Sequence, residues 1–345
     1  MSVLDKVLSL RPGNTVARVG PGSRVPLLNP RELLRALERT PAALPCLPVQ
    51  ARGALPGLLR AARSEDAVLG LACAHPTADR GAAERFVAAV HEAAVEAEHA
   101  RPVFLQAGPV RVAKPDEASL GSLREGLYRM VDAGFTLVSL DLSRLDSYAA
   151  VEALQALAGP VTERELSLEV SAPAPSQGGL LDAYRTLLEG LSQWKVPVCF
   201  VRVSERDLGG AEPDVGTLRS LVDLARDYGA AVSVGDVREG FPRMLPTYVA
   251  AGARKVDCVG PFERLALGAW APDVRAGVEE KAAAAGMPAG ELVSVLEDSL
   301  PPLDAGARER LEALSFAEAT EVFAALGAGG TGHAAMRFLA ENRGE

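Results

Sequence analysis

Short apolar runs rich in Val and Leu alternate along this chain with longer amphipathic stretches, the rhythm of βα units around a parallel sheet. Eight runs read as strands: Leu44–Gln50, Ala67–His75, Pro102–Val110, Thr136–Ser143, Leu166–Ala172, Val196–Ser204, Ala231–Val237 and Lys255–Gly260. Helical spacing follows nearly all of them, over Leu55–Ser64, Ala82–His99, Leu120–Ala133, Tyr148–Ala158, Leu180–Gln193, Val215–Tyr228 and Pro242–Ala251. Eight alternations predict an α/β fold, a closed (β/α)8 or TIM barrel with its active face at the C-terminal ends of the strands. An open doubly wound sheet is the weaker alternative, because no GxGxxG follows the first run.

Asn29–Glu38 offers a capping Asn, Pro at the first helical position and helical Leu spacing, so it predicts a helix leading into the barrel. After residue 271 the strand signal stops. Short helices broken by Gly and Pro are expected at Val274–Ala285, Glu291–Leu300, Ala307–Leu314, Ala317–Leu326 and Ala334–Glu341. The predicted organisation is therefore a barrel over residues 1–271 and a C-terminal helical extension over 272–345, packed on the barrel or on another subunit.

The apolar fraction of 48% is ample for a core at this length. Lys and Arg number 36 and Asp and Glu 45, giving a net charge of −9 spread along the chain. That balance, with no basic cluster, argues against nucleic acid or an anionic membrane as partner. No apolar run approaches the roughly 20 residues of a bilayer span, and the N-terminus lacks a signal pattern, so the expected location is the cytoplasm. Cys46, Cys73, Cys199 and Cys258 each sit in an apolar run and form no CxxC motif; they read as small buried hydrophobes. No G-x-S-x-G is present, and a pairing of Cys73 with His75 reads as a core thiol under a strand-end His.

Residues Asp132–Arg144 (DAGFTLVSLDLSR) resemble a landmark of the class II, zinc-dependent fructose/tagatose-bisphosphate aldolases, close to AGFTSVMIDGSH. Ala133, Gly134, Phe135, Thr136, Val138, Asp141 and Ser143 match, while Arg144 replaces His. Glu32–Val49, Leu58–Leu71, Leu166–Val170 (LSLEV, with Glu169 matching an acid), Val203–Leu218, Ala231–Pro242 and Gly252–Asp257 (GARKVD) are similar to further segments of that family in order and spacing. The resemblance covers roughly residues 30–270.

The departures matter most. The family's HLDH segment, with a metal ligand and the catalytic Asp, falls on Gln106-Ala107-Gly108-Pro109; its AHG histidine falls on Glu205, and its HGG histidine on Gly235 or Asp236. Of four histidines, His91 and His99 lie on a predicted surface helix and His333 in the tail, leaving His75 to reach the barrel mouth. Catalytic zinc needs three N, S or carboxylate ligands and an open position. The resemblance thus implies a degenerate member without the zinc site, for which no metal cofactor is expected. The loop Gly235–Gly240 keeps only part of the family's phosphate-gripping glycines, and acidic Asp236 and Glu239 make a sugar bisphosphate a poor substrate.

Alternation along the strands points Ser139, Asp141, Ser143, Ser167, Glu169, Arg202, Ser204, Lys255 and Asp257 into the barrel, with Gln106 beside them. Several readings stay open. Arg202 and Lys255 could satisfy Asp141, Glu169 and Asp257 as an ionic plug. Arg202, with Arg52, Arg144, Arg206 or Arg238 on the strand-end loops, could grip a small anionic metabolite, in a pocket to which Ser143, Gln106, Asp257, Glu205, Gly235 and Asp236 contribute. Asp141, Glu169, Glu205 and Asp236 could hold Mg or Mn. Lys255, its pKa lowered by burial beside Arg202, could form a Schiff base; Asp141, Glu169 and Lys255 are the candidate catalytic residues. Gly178-Gly179 and Gly209-Gly210 could form mobile lids or plain turns. The functional expectation is a non-catalytic binding, regulatory or companion subunit in carbohydrate metabolism, homo-oligomeric or paired with another chain. The alternative is a carbon–carbon lyase or isomerase on a phosphorylated or carboxylated metabolite.

Overall fold

The computed structural model describes residues 2–174 and 179–342. Its eight strands are β1 (Leu44–Pro48), β2 (Leu69–Cys73), β3 (Val103–Arg111), β4 (Leu137–Asp141), β5 (Ser167–Ser171), β6 (Phe200–Ser204), β7 (Ala231–Val237) and β8 (Lys255–Cys258). All pair in parallel in chain order, and β8 returns to β1 through Leu44 opposite Lys255, so the barrel closes. The alternation behaves as expected: Val138, Leu140 and Leu142 pack outward into the main helix–sheet core, while Ser139 and Asp141 point in.

The barrel's lower interior is apolar. Leu44, Cys46, Phe104, Leu137 and Phe200 cluster there with Leu28, Leu33 and Val7 from the N-terminal segment. A Cβ on Gly70 would lie 2.1 Å from the Phe104 ring, so only glycine leaves room for that ring. The lead-in helix forms at Pro30–Ala36 with Asn29 accepting from the Arg31 amide, as its cap predicts.

Several elements differ from the sequence reading. Two N-terminal helices, Val3–Leu8 and Gly13–Val19, and a helix after β8, Gly260–Gly268, are only six, seven and nine residues long, too short for helical spacing to stand out alone. The expected helices at Ala307–Leu314 and Ala317–Leu326 are one, Ala305–Ala325, because no Gly or Pro interrupts them. That helix packs along Leu55–Ser64 so closely that a Cβ on Gly57 would meet the Glu312 carbonyl oxygen at 2.2 Å. Touching Leu245–Ala250 and β1 as well, it covers the side where the barrel closes. The last helix, Thr331–Glu341, packs on Val3–Leu8 and Pro30–Ala36 beneath the barrel. The extension thus wraps the barrel from top to bottom. His99 lies past the end of helix Ala82–Glu96 and is buried, contrary to its expected place on the surface; burial pushes its pKa down to about 4. Among the described residues no helix is long and apolar enough to cross a membrane.

Candidate functional site

A cavity of about 1530 Å³ opens at the C-terminal ends of the strands. Beneath it the barrel interior is ionic. Lys255 Nζ, fully buried, lies 2.8 Å from Glu169 Oε1 and 2.6 Å from Asp257 Oδ1. Ser233 Oγ donates to the same Glu169 oxygen at 2.6 Å. One level up, Arg202 Nε donates to Asp257 Oδ2 at 3.3 Å, and its outer nitrogen lies 2.9 Å from Asp236.

These contacts decide the charge states. Burial alone would push the Lys255 ammonium down, but Asp257 and Glu169 outweigh it and its pKa ends above the ordinary value. Burial would likewise raise Asp257; Lys255 and Arg202 hold it low instead. The Schiff-base reading of Lys255 fails on this point, since the amine is locked as ammonium between two carboxylates. The plug holds in modified form: Asp236 completes it, whereas Asp141 stands apart. Asp141 accepts from the Ser143 amide at 3.0 Å and the Ser171 hydroxyl at 3.2 Å, and pairs with Arg111 at 3.4 Å. Burial opposes, yet those donors hold its pKa below the usual range, so Asp141 is a poor proton acceptor at neutral pH.

Gly235 sits directly under the Arg202 guanidinium; a Cβ there would be 2.3 Å from Cζ. Glu205 does not reach the mouth. Its buried carboxylate accepts from the amides of Arg238, Glu239 and Gly240 at 2.8, 2.9 and 2.8 Å, and from Tyr248 at 3.3 Å. The amides this loop could offer an anion are thus taken by an internal carboxylate. Asp236 adopts a left-handed φ of 57° to reach Arg202. With Glu169 on Lys255, Glu205 on the loop, Asp236 on Arg202 and Asp141 on Arg111, the four proposed Mg or Mn ligands do not converge. Among the described residues no group of three or more His, Cys, Asp or Glu is placed to hold a metal ion.

Gln106 lines the mouth but is engaged by the Cys46 thiol and the Gly108 carbonyl, each at 3.4 Å. Ser143 lines it and is exposed; Arg144 is exposed outside it. Arg52 binds Glu297 and Asp298 away from the cavity. Arg238 reaches the mouth but forks onto Glu263 at 2.7 and 3.1 Å. Gly209 and Gly210, at φ of 104° and 70°, form a hydrogen-bonded turn after β6; Gly178 lies outside the described residues. His75 does line the mouth, with Nε2 2.9 Å from Glu291 Oε1 of helix Ala289–Leu296. Beside it burial pushes the Cys73 thiol up to about 12, which removes it as a nucleophile at neutral pH.

The sequence reading missed the wall formed by Arg111, Lys114 and Arg129, from the end of β3 and helix Glu117–Ala133. Lys114 and Arg129 have no ion pair among the described residues. Their separation in sequence hides that they share one wall. It also missed Gln50, which is buried on the cavity's edge with Oε1 unpartnered.

No protein-family model matches this chain, and no curated protein matches it in sequence. Solved structures do match in fold. The YdjI aldolase of Escherichia coli K12 superposes with a TM-score of 0.60 over 89% of this chain and 99% of that one, at 12% identity. A protein from Coccidioides immitis described as a fructose-1,6-biphosphate aldolase gives 0.60 over 88% and 96%, at 14% identity. The chain has an aldolase-like TIM barrel fold.

Proposed function

We propose that this chain is an aldolase-like barrel that has lost zinc-dependent aldol chemistry and binds a small anionic metabolite at its mouth, as a non-catalytic regulatory or companion subunit. The observation that carries the reading is the Arg202 guanidinium, which fills the space over Gly235 and bridges Asp236 to Asp257. A side chain at position 235 would have to displace it, so no ligand for a Lewis acid can come from there. Glu205, at the second position where the resemblance would put a zinc ligand, is spent on three loop amides. The residues present do not fit a zinc site. Lys114 and Arg129, without an ion pair among the described residues, share this wall with Arg111, which pairs with Asp141, and Arg206 lies nearby; that gathering favours an anionic ligand.

The test joins metal analysis of purified protein, assays of fructose and tagatose bisphosphate cleavage, and thermal shift with sugar phosphates. Less than stoichiometric zinc, no cleavage and stabilisation by a phosphorylated compound are expected. Chelator-sensitive aldol cleavage would defeat the reading.

A further inference from the structure

The opposite end of the barrel carries a second concavity, of about 470 Å³. It lies between the lead-in helix Pro30–Ala36, helix Gly179–Gln193, the segment entering β6 and the end of helix Val215–Asp227. Its floor is apolar, built from Leu188, Leu191, Val198 and Cys199 among others. Among the described residues its charged lining is Arg31, Arg35 and Arg226, with no acidic residue, although acids outnumber bases in the chain. Arg226 is held by Asp223 on its own helix and Arg35 by Glu32. Arg31 has no carboxylate partner among the described residues; its guanidinium stands against the buried Cys199 thiol.

We propose that this basal groove binds a small organic carboxylate with an apolar body, its carboxylate on Arg31 and its body on the Leu188–Leu191 floor. A guanidinium beside a low-dielectric floor holds a carboxylate more strongly than one in open water, and its planar fork matches the two oxygens. The apolar body supplies the rest by burial. The volume lies within the range of small-molecule sites. The groove is independent of the mouth, at the other end of the strands.

Octanoate is the probe, titrated into the full chain by calorimetry and by the fluorescence of Trp194, which is 56% exposed and lies in sequence between the lining residues Ser192 and Val196, whereas Trp270 is buried. One octanoate per chain is expected to bind saturably, acetate at least about tenfold more weakly for lack of an apolar body. Arg31→Met keeps the aliphatic stem and should weaken octanoate about tenfold or more. Ser192→Trp, on an exposed helix position at the rim, should block the groove without touching the core and serves if Arg31→Met does not fold. Absence of saturable binding, or parental affinity in the variants, would overturn the proposal. So would a dimer that octanoate leaves intact and Ser192→Trp disperses, which would give the groove to a second copy of the chain.

Discussion

Inside the barrel, Lys255, Glu169, Asp257, Arg202 and Asp236 pair with one another, leaving one buried Glu169 oxygen without a partner, whereas Lys114, Arg129 and Arg206 on the rim face water and Arg111 reaches only Asp141. Depth accounts for the contrast. A buried charge costs several kcal/mol unless paired, so the inner residues hold their partners at hydrogen-bond distance. A rim charge loses little hydration and can wait for a ligand. Charge alone therefore marks no binding site in this molecule. The inner ring is fixed by its own pairs, and the outer ring is open to solvent.

The strongest challenge to this contrast is Lys255→Met, which strands two buried acids. A loss of about 3–5 kcal/mol in urea unfolding is expected, with much of it recovered on adding Glu169→Gln. Because the folded pKa of Lys255 is raised, its contribution is complete below the unfolded value near 10.4 and is lost as pH rises through the higher folded value. Asp257, held low, contributes fully above its unfolded value near 3.9 and loses that contribution as pH falls through its lower folded value. Stability curves of parent and Lys255→Met should diverge least at the two extremes. Parallel curves across the whole range would mean that the inner ring is solvated.

Arg202→Ala should cost about 3 kcal/mol, somewhat less than Lys255→Met, since Asp236 is 40% exposed and can turn to water. A variant as stable as the parent would place Arg202 in ligand space instead. Gly235→His should lose about 1–3 kcal/mol by forcing the guanidinium aside, and much less when Arg202 is already Ala. Equal losses in both backgrounds would show that the two sites do not share that space.

The smallest stability effect belongs to the rim. Lys114→Gln with Arg129→Gln should change stability by less than about 0.5 kcal/mol, yet weaken binding of inorganic phosphate about tenfold in calorimetry. Unchanged phosphate affinity would remove this wall from the proposed anion site.

The eight strands, most of the barrel helices and the inward set on β4, β5, β6 and β8 were readable along the chain. Alternation and helical spacing are local consequences of burial, and each strand carries its own copy of the signal. Which inner acid meets which base was not readable. Asp141 and Asp257 both project into one barrel, and only the stagger of the strands lowers the first to Arg111 and the second to Lys255 and Arg202. Glu205 shows the same limit: its carboxylate turned to the Arg238–Gly240 amides because the loop after β7 folds back over β6. The basal groove around Arg31 joins segments far apart in sequence, which become neighbours only in the folded barrel, whereas the Arg111–Lys114–Arg129 wall lies within one strand–helix unit and depends on how that helix returns beside its strand.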